Sequence, residues 1–273
     1  MMPYPIAMIP YTNMAPYRAL GPPSGCRFVS CVPRESVRLL AKGEVLAAAA
    51  PVGGLPELER VVEPVGRFGI GAGEKSQSVL FFSDRPLAGF CDPAAVCLTD
   101  ESASSVRLLY LLMGYWQGFN RLPCLTDDIK KANGELVIGD RALRTMRKWQ
   151  EQSLVSRPPE HGFGYVADLA TEWYAAHGLP FVFARWVIRR DAPSDFKRLF
   201  NDWLVEFGGR EEEMVDLAAP EAAESLGVPI EYILDYFRVI RRRLGDDDLA
   251  GQELFLEELN RHVRDPLFPR CPD

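Results

Sequence analysis

The side chains that could do chemistry in this sequence are mostly neutral hydrogen-bonding groups, placed where a strand ends or a helix begins. Ser104 and Ser105 belong to a hydroxyl-rich segment, residues 100–105, that runs directly into a helical stretch. A helix start offers free N–H groups and the positive end of the helix dipole, so it can bind an anion without a formal charge. The same segment could instead be a capping box in which Ser102 or Ser104 is the cap and no ligand is bound.

Two other junctions between predicted elements carry polar residues. Asn13 follows the first strand, at a position from which a loop can direct a side chain into a cleft. The alternative is that Asn13 caps the next helical turn. Gly139 and Asp140 follow a strand in the middle of the chain. The glycine would let a ligand approach the backbone closely, whereas the aspartate could cap the helix after it.

Charged and hydroxyl side chains outside these junctions give weaker signals. Arg38, Arg141 and Arg185 are candidate counter-charges for a carboxylate, because a guanidinium pairs with it through two parallel hydrogen bonds. The alternative for each is a solvated surface residue. Ser78 stands at the start of an apolar strand, where a serine is most often satisfied by the backbone. The arginines at positions 238 and 241–243 have acidic neighbours and are interpreted as a solvated helix face.

The residues that usually hold metals or cofactors are scattered. Three isolated histidines offer neither a metal pair nor a Ser-His-Asp set. There is no Walker loop, and residues 69–73 lack the GxGxxG spacing. We therefore expect a reaction that uses neither cofactor nor metal. The six cysteines contain no CxxC pair and are expected to be reduced, mostly buried thiols.

Strand and helix patterns alternate through most of the chain, which predicts an α/β protein with parallel sheets and right-handed crossovers. The run Phe181–Val187 is apolar without alternation and predicts a strand buried on both faces. The expected strands are 6–10, 27–33, 45–52, 78–83, 96–99, 135–139 and 181–187. The expected helices are 13–20, 35–42, 106–116, 143–149, 168–177, 196–207, 211–226, 230–244 and 249–263.

Length and charge limit the class of protein. The 273 residues are enough for two lobes, and a net charge of −7 disfavours general attraction to nucleic acid or to an anionic membrane. The first residues lack the basic segment of a signal peptide, and no apolar run approaches the roughly 18 residues that span a bilayer. We expect a cytoplasmic protein.

Three motifs, in this order and spacing, resemble the chorismate dehydratase family of the futalosine route to menaquinone. They are Ile9-Pro-Tyr-Thr-Asn13-Met-Ala-Pro-Tyr17, Val137-Ile-Gly-Asp140-Arg-Ala-Leu143 and the segment 178–189. The resemblance runs from about Ile6 to Phe255. It implies a two-lobed, type II periplasmic-binding-protein-like α/β fold with a ligand cleft between the lobes. Lobe 1 would comprise residues 1–85 and 186–273, and lobe 2 residues 86–185.

The resemblance also assigns roles within this cleft. It implies that Asn13 faces the substrate and takes part in proton removal. Because a neutral carboxamide is a poor base, Asn13 could instead orient the substrate, or the substrate's own carboxylate as the base. Ser78 would line the cleft, and Ser104 and Ser105 would hold a carboxylate. The predicted substrate-binding residues are Ser78, Ser104, Ser105, Gly139, Asp140 and Arg38, with Asn13 as the catalytic residue.

The implied reaction is a hydro-lyase step, in which chorismate loses water to give 3-[(1-carboxyvinyl)oxy]benzoate. One alternative is the 1,4-dihydroxy-6-naphthoate synthase of the same pathway, which uses a histidine of lobe 2 as a base. The corresponding strand of this chain reads Leu136-Val-Ile-Gly-Asp140 and contains no histidine, which favours the dehydratase. A second alternative is a non-catalytic cytoplasmic solute-binding or sensor protein of the same fold. The sequence does not predict an oligomeric state.

Overall fold

The computed structural model describes residues 3–91, 93–154, 163–263 and 267–271. The chain forms two β-sheets, each covered by helices, and so it is an α/β protein. None of the helices within these ranges is long and apolar enough to cross a membrane.

The first sheet has six strands and forms one lobe. Its strands are β1 (Tyr4–Met8), β2 (Cys26–Ser30), β3 (Ala47–Pro51), β4 (Val62–Ala72), β10 (Phe181–Arg189) and β11 (Ile240–Arg243), in the spatial order β11-β4-β10-β3-β1-β2. β1 pairs in parallel with β2 and β3. β10 is antiparallel to both of its neighbours. The prediction of parallel sheets is therefore wrong for this strand, which is largely buried because it lies in the middle of a covered sheet.

The second sheet has five strands and forms the other lobe. Its strands are β5 (Val79–Ser83), β6 (Ala95–Cys97), β7 (Cys124–Leu125), β8 (Gly134–Ile138) and β9 (Tyr165–Asp168), in the order β7-β6-β8-β5-β9. β6 is parallel to β7 and β8, whereas β5 is antiparallel to β8 and β9. Both sheets are thus mixed.

Because of these pairings, the observed boundaries between the lobes differ from the predicted ones. β5 lies before residue 85 but belongs to the second sheet, and β10 begins before residue 186 but belongs wholly to the first. The assignment of residues 79–83 to lobe 1 and of residues 181–185 to lobe 2 is therefore wrong. The turn at Asp84-Arg85-Pro86 follows a strand within lobe 2, and the chain changes sheets earlier, between β4 and β5.

The helices lie close to where the periodicity predicts them, except for the short helix at Leu55–Leu58, which was not predicted. They are α1 (Ala15–Leu20), α2 (Pro33–Lys42), α3 (Leu55–Leu58), α4 (Ala103–Gln117), α5 (Gly139–Leu154), α6 (Leu169–His177), α7 (Ser194–Gly209), α8 (Glu211–Leu226), α9 (Ile230–Val239) and α10 (Asp246–His262). Pro16 lies in the first turn of α1, and α2 ends at a left-handed Gly43. The strands β4, β7, β9 and β11 were not predicted.

Lobe 1 is built on an aromatic core. Along α7, Phe196, Phe200, Trp203 and Phe207 recur at helical spacing and are buried. They pack on the first sheet, where Trp186 of β10 is fully buried, and the ring of Tyr17 stacks on Phe207 with centroids 3.8 Å apart. Because these rings anchor α1 and β10 together, they also fix the loop between β1 and α1.

The C-terminal tail is attached to lobe 2. Cys124 of β7 and Cys271 form a disulfide, and the N–H of Leu125 donates to the carbonyl of Pro269 at 2.6 Å. The expectation that all six cysteines are reduced is therefore wrong, because strand pairing of the tail brings together two cysteines 147 residues apart. Four cysteines are free thiols and are half-buried rather than buried: Cys26, Cys31, Cys91 and Cys97.

Candidate active site

A cavity lies between the two lobes, where strands from both sheets end or begin. The space not filled by protein atoms is about 580 Å³, open solvent at its mouth included. Apolar and neutral polar side chains line it: Ile9, Tyr11, Asn13, Met14, Pro33, Ala49, Pro51, Ile70, Ser78, Val79, Ser102, Ser105, Ile138, Gly139, Phe183, Ala184 and Ile240.

Asn13 lies in a 3-10 turn, Thr12–Met14, that connects β1 to α1. It caps neither helical segment, because the N-cap positions are Tyr11 and Met14 and neither cap is made by a side chain. Its Oδ1 atom is buried and has no hydrogen-bond partner within the described residues. Buried polar atoms are nearly always paired, and Asn13 lines the cavity, so its unpaired amide oxygen is suited to meet a donor from a ligand.

The start of α4 forms a second wall. Ser102 is the N-cap, and its Oγ accepts a hydrogen bond from the Ser105 N–H at 3.2 Å. The two hydroxyl oxygens lie 3.0 Å apart, and both residues line the cavity. Ser102 is thus the N-cap of α4, as the capping interpretation of residues 100–105 allowed. The N-terminal end of α4 still points its positive dipole end toward the cavity wall, so it can attract an anion.

Ser104 lies beside the cavity, but its hydroxyl is already engaged. The Gly53 N–H donates to Ser104 Oγ at 3.0 Å, and this hydroxyl donates to the carbonyl of Phe183 at 2.9 Å. These bonds join α4 of lobe 2 to the end of β3 and to β10. Ser104 therefore holds the lobes together. Contrary to the prediction, it does not line the cavity, whereas Ser105 does.

Gly139 and Asp140, at the start of α5, meet the loop after β1. Gly139 lines the cavity with a φ of 59°, and a Cβ at this position would lie 2.9 Å from the ring of Tyr11, so only glycine fits easily here. Asp140 Oδ1 accepts a hydrogen bond from the Thr12 N–H at 2.7 Å. Asp140 is thus a contact between the lobes and holds the turn that carries Asn13.

Tyr11 makes another contact between the two lobes. Its hydroxyl donates to Glu101 Oε2 at 2.6 Å, and the Arg34 N–H donates to the Glu101 carbonyl at 2.9 Å. Burial, and then the hydrogen bond to Glu101, raise the pKa of Tyr11 above its usual value. Tyr11 therefore stays a neutral donor. Sequence reasoning missed Tyr11 as a site residue, although it lies inside the quoted motif around Asn13.

The three candidate arginines do not line the cavity. Arg38 lies in an exposed groove and pairs with Glu35 and, at 3.2 Å, with Glu44. Arg141 pairs with Glu135, and Arg185 donates to the Gly66 carbonyl at 2.8 Å. Arg38 therefore lies outside the cavity, and nearby acidic residues pair with its guanidinium. Among the described residues, no Asp, Glu, His, Lys or Arg lines the cavity.

Ser78, directly before β5, lies in the cavity wall and is 3% exposed. Four of the predicted site residues therefore meet at one cavity despite their distance in sequence: Asn13, Ser78, Ser105 and Gly139. Of the wall residues that sequence reasoning missed, Ile70, Phe183 and Ile240 come from three strands of one sheet. Only strand pairing could have identified them.

Comparison with known proteins places the chain in a family. Residues 4–261 match the family model described as menaquinone biosynthesis. A chorismate dehydratase from Thermus thermophilus is 30% identical over 98% of this chain and 100% of its own length. The chain belongs to this menaquinone biosynthesis family.

Solved structures agree on the fold. An Archaeoglobus fulgidus protein superposes with a TM-score of 0.68 at 12% identity, covering 94% of this chain and 96% of its own. The Escherichia coli periplasmic aliphatic sulphonate binding protein superposes with a TM-score of 0.59 at 12% identity, covering 96% and 92%. The two-lobed, periplasmic-binding-protein-like fold implied by the sequence motifs is therefore confirmed.

Proposed function

We propose that this protein is a chorismate dehydratase, a hydro-lyase that converts chorismate to 3-[(1-carboxyvinyl)oxy]benzoate and water. The observation that carries the proposal is the full-length match to the Thermus thermophilus chorismate dehydratase. The cavity supports it, since its polar groups are neutral donors and acceptors and the amide oxygen of the lining residue Asn13 has no partner within the described residues.

In the proposed reaction, the ring of chorismate loses the proton at C3 and the hydroxyl at C4 and becomes aromatic. Aromatisation supplies the driving force, so the protein mainly has to orient the substrate and exclude water. Apolar side chains such as Ile70, Ile138 and Phe183 provide a dry surface for the ring. The interlobe hydrogen bonds of Tyr11, Ser104 and Asp140 hold the two lobes together around the cavity.

Polar groups in the wall have separate roles in this proposal. Ser105 and the start of α4 bind a substrate carboxylate through hydroxyl and dipole interactions. Asn13 contacts the reacting part of the ring and orients it. Because a carboxamide is a poor base, a substrate carboxylate held by Asn13 is the better acceptor for the C3 proton.

The direct test is to incubate the purified protein with chorismate. Loss of the diene absorbance, together with the product mass of 3-[(1-carboxyvinyl)oxy]benzoate, is the expected result. Chorismate alone and heat-unfolded protein serve as controls. Binding of chorismate without turnover would instead identify a solute-binding or sensor protein, and neither binding nor turnover would refute chorismate as the ligand.

A further inference from the structure

Behind the cavity wall, a buried tyrosine contacts one of the predicted site residues. Tyr236 of α9 is 1% exposed, and its hydroxyl donates to Ser78 Oγ at 3.0 Å. Ser78 lies where the chain enters the second sheet, whereas α9 packs on the first lobe. This hydrogen bond therefore connects the two lobes at the cavity wall.

The direction of this bond leaves the hydrogen of Ser78 available. Ser78 Oγ accepts from Tyr236, and the only recorded acceptor for its own hydrogen among the described residues is the Ser76 carbonyl, 3.4 Å away. A bond of this length is at the weak end of hydrogen-bond geometry. The Ser78 hydroxyl could therefore donate a hydrogen bond to a ligand oxygen in the cavity at little cost in free energy.

A buried cation explains why Tyr236 is the donor. In β11, Ile240 and Arg242 face the same side, and Ile240 lines the cavity. Arg242 is 1% exposed, its Nη1 reaches Glu211 only at 3.5 Å, and its Nε and Nη2 have no partner within the described residues. The charge of Arg242 interacts electrostatically with the Tyr236 hydroxyl. A phenol oxygen is attracted by a cation, so the hydrogen of Tyr236 points away from Arg242 and toward Ser78.

We infer that Tyr236 is a positioning residue: it fixes the Ser78 hydroxyl so that its hydrogen points to an acceptor oxygen of the bound anion. The role rests on the proposed function, because it requires Ser78 to contact the substrate. Nothing in the sequence indicates this role, since Tyr236 lies on a helix 158 residues from Ser78.

The test compares two tyrosine-to-phenylalanine variants of the same helix. Tyr236→Phe removes the donor to Ser78 and keeps the buried ring. Tyr232→Phe is the matched control, because the Tyr232 hydroxyl also bridges the lobes, donating to the Leu143 carbonyl at 3.2 Å, but does not touch Ser78. We expect kcat/KM for chorismate to fall about tenfold in Tyr236→Phe and by less than about twofold in Tyr232→Phe.

A double-mutant cycle separates positioning from structural support. If Tyr236 acts through Ser78, adding Tyr236→Phe to Ser78→Ala changes kcat/KM by less than about twofold. Equal losses in the two phenylalanine variants, or a full additive loss in the double variant, would overturn the inference. Wild-type protein without turnover would refute the proposed function instead, so the two failures are distinguishable.

Discussion

The cavity and the exposed groove that contains Arg38 both lie along the junction of the lobes, yet they differ in how they use charge. The groove, formed by α2, α3, the start of α4 and the C-terminal tail, measures about 2170 Å³ with open solvent included. Two of its arginines pair locally, Arg38 with Glu35 and Arg107 with Glu57. The cavity of about 580 Å³ has no charged lining residue in the described parts of the chain.

Solvation explains the difference. Exposed ion pairs form easily and contribute little. A lone arginine inside a largely apolar cavity would carry a large desolvation cost whenever the ligand is absent, whereas hydroxyls, an amide and a helix N-terminus carry a smaller one. We therefore expect the cavity to control turnover and the groove side to contribute only to stability.

The largest expected effect is on Asn13. Asn13→Ala should lower kcat for chorismate by about 10²- to 10³-fold, because in the proposed reaction Asn13 orients the reacting part of the ring. Unfolding free energy should change by no more than about 0.5 kcal/mol, since Asn13 makes no cap. Steady-state kinetics and thermal melting measure the two quantities. Asn201→Ala, on the exposed face of α7, is the control. Retained turnover in Asn13→Ala would remove Asn13 from the mechanism.

The next effect concerns the groove side. Cys271→Ser removes the disulfide that attaches the tail, which forms part of the groove wall through Leu267 and Arg270. A closed loop of this size predicts a stability loss of about 2 to 5 kcal/mol. Below the melting temperature, kcat should stay within about twofold of wild type. Denaturant unfolding with and without reductant checks the first statement. A large loss of kcat in folded protein would contradict the separation of the two regions.

Ser105 and Ser104 provide a matched pair within one helical turn. Ser105→Ala should raise KM by about tenfold with little change in kcat, because an anchoring contact is made equally in the ground and transition states. Ser104→Ala should instead lower stability by about 1 to 3 kcal/mol, since the Gly53 N–H and the Phe183 carbonyl lose their partner. Kinetics and melting of both variants test this assignment, and reversed outcomes would exchange their roles.

The pH dependence of turnover should be small. Tyr11 is the only titratable side chain among the described lining residues, and burial and Glu101 raise its pKa. Its contribution to stability is present below the ordinary tyrosine pKa of about 10 and is lost only as pH rises through the higher folded-state value. Between about pH 6 and pH 9, kcat should change less than about twofold. A pH–rate profile with a midpoint near neutrality would reveal a protein base and contradict a substrate carboxylate in that role.

The smallest effect is expected at Arg38. Arg38→Ala should leave both KM and kcat within about twofold of wild type, because the guanidinium pairs with Glu35 and Glu44 outside the cavity. Steady-state kinetics at low and physiological salt test this. A strong rise in KM would mean that the substrate is bound in the groove, and the comparison between the two regions would fail.

Local chemistry made several features predictable. The α/β class followed from alternating patterns, and the strand at residues 181–187 followed from its continuous apolar run. The meeting of Asn13 with Gly139 followed from the family resemblance and from the position of both residues where a predicted strand ends. β11 escaped prediction because Ile240-Arg-Arg-Arg243 continues the periodicity of α9, so the buried Arg242 was assigned to a solvated helix face.

By itself the sequence determined the family motifs, the order of most elements and the residue types available to the site, because these depend on local patterns. Only the tertiary structure decided which of two adjacent serines faces the cavity. Ser104 and Ser105 differ by about 100° around α4, and packing against Gly53 and Phe183 sets that rotation. The structure likewise decided that Arg38 is paired, that Cys124 meets Cys271 and that Tyr236 reaches Ser78. Each depends on a contact between segments distant in sequence, which no local pattern encodes.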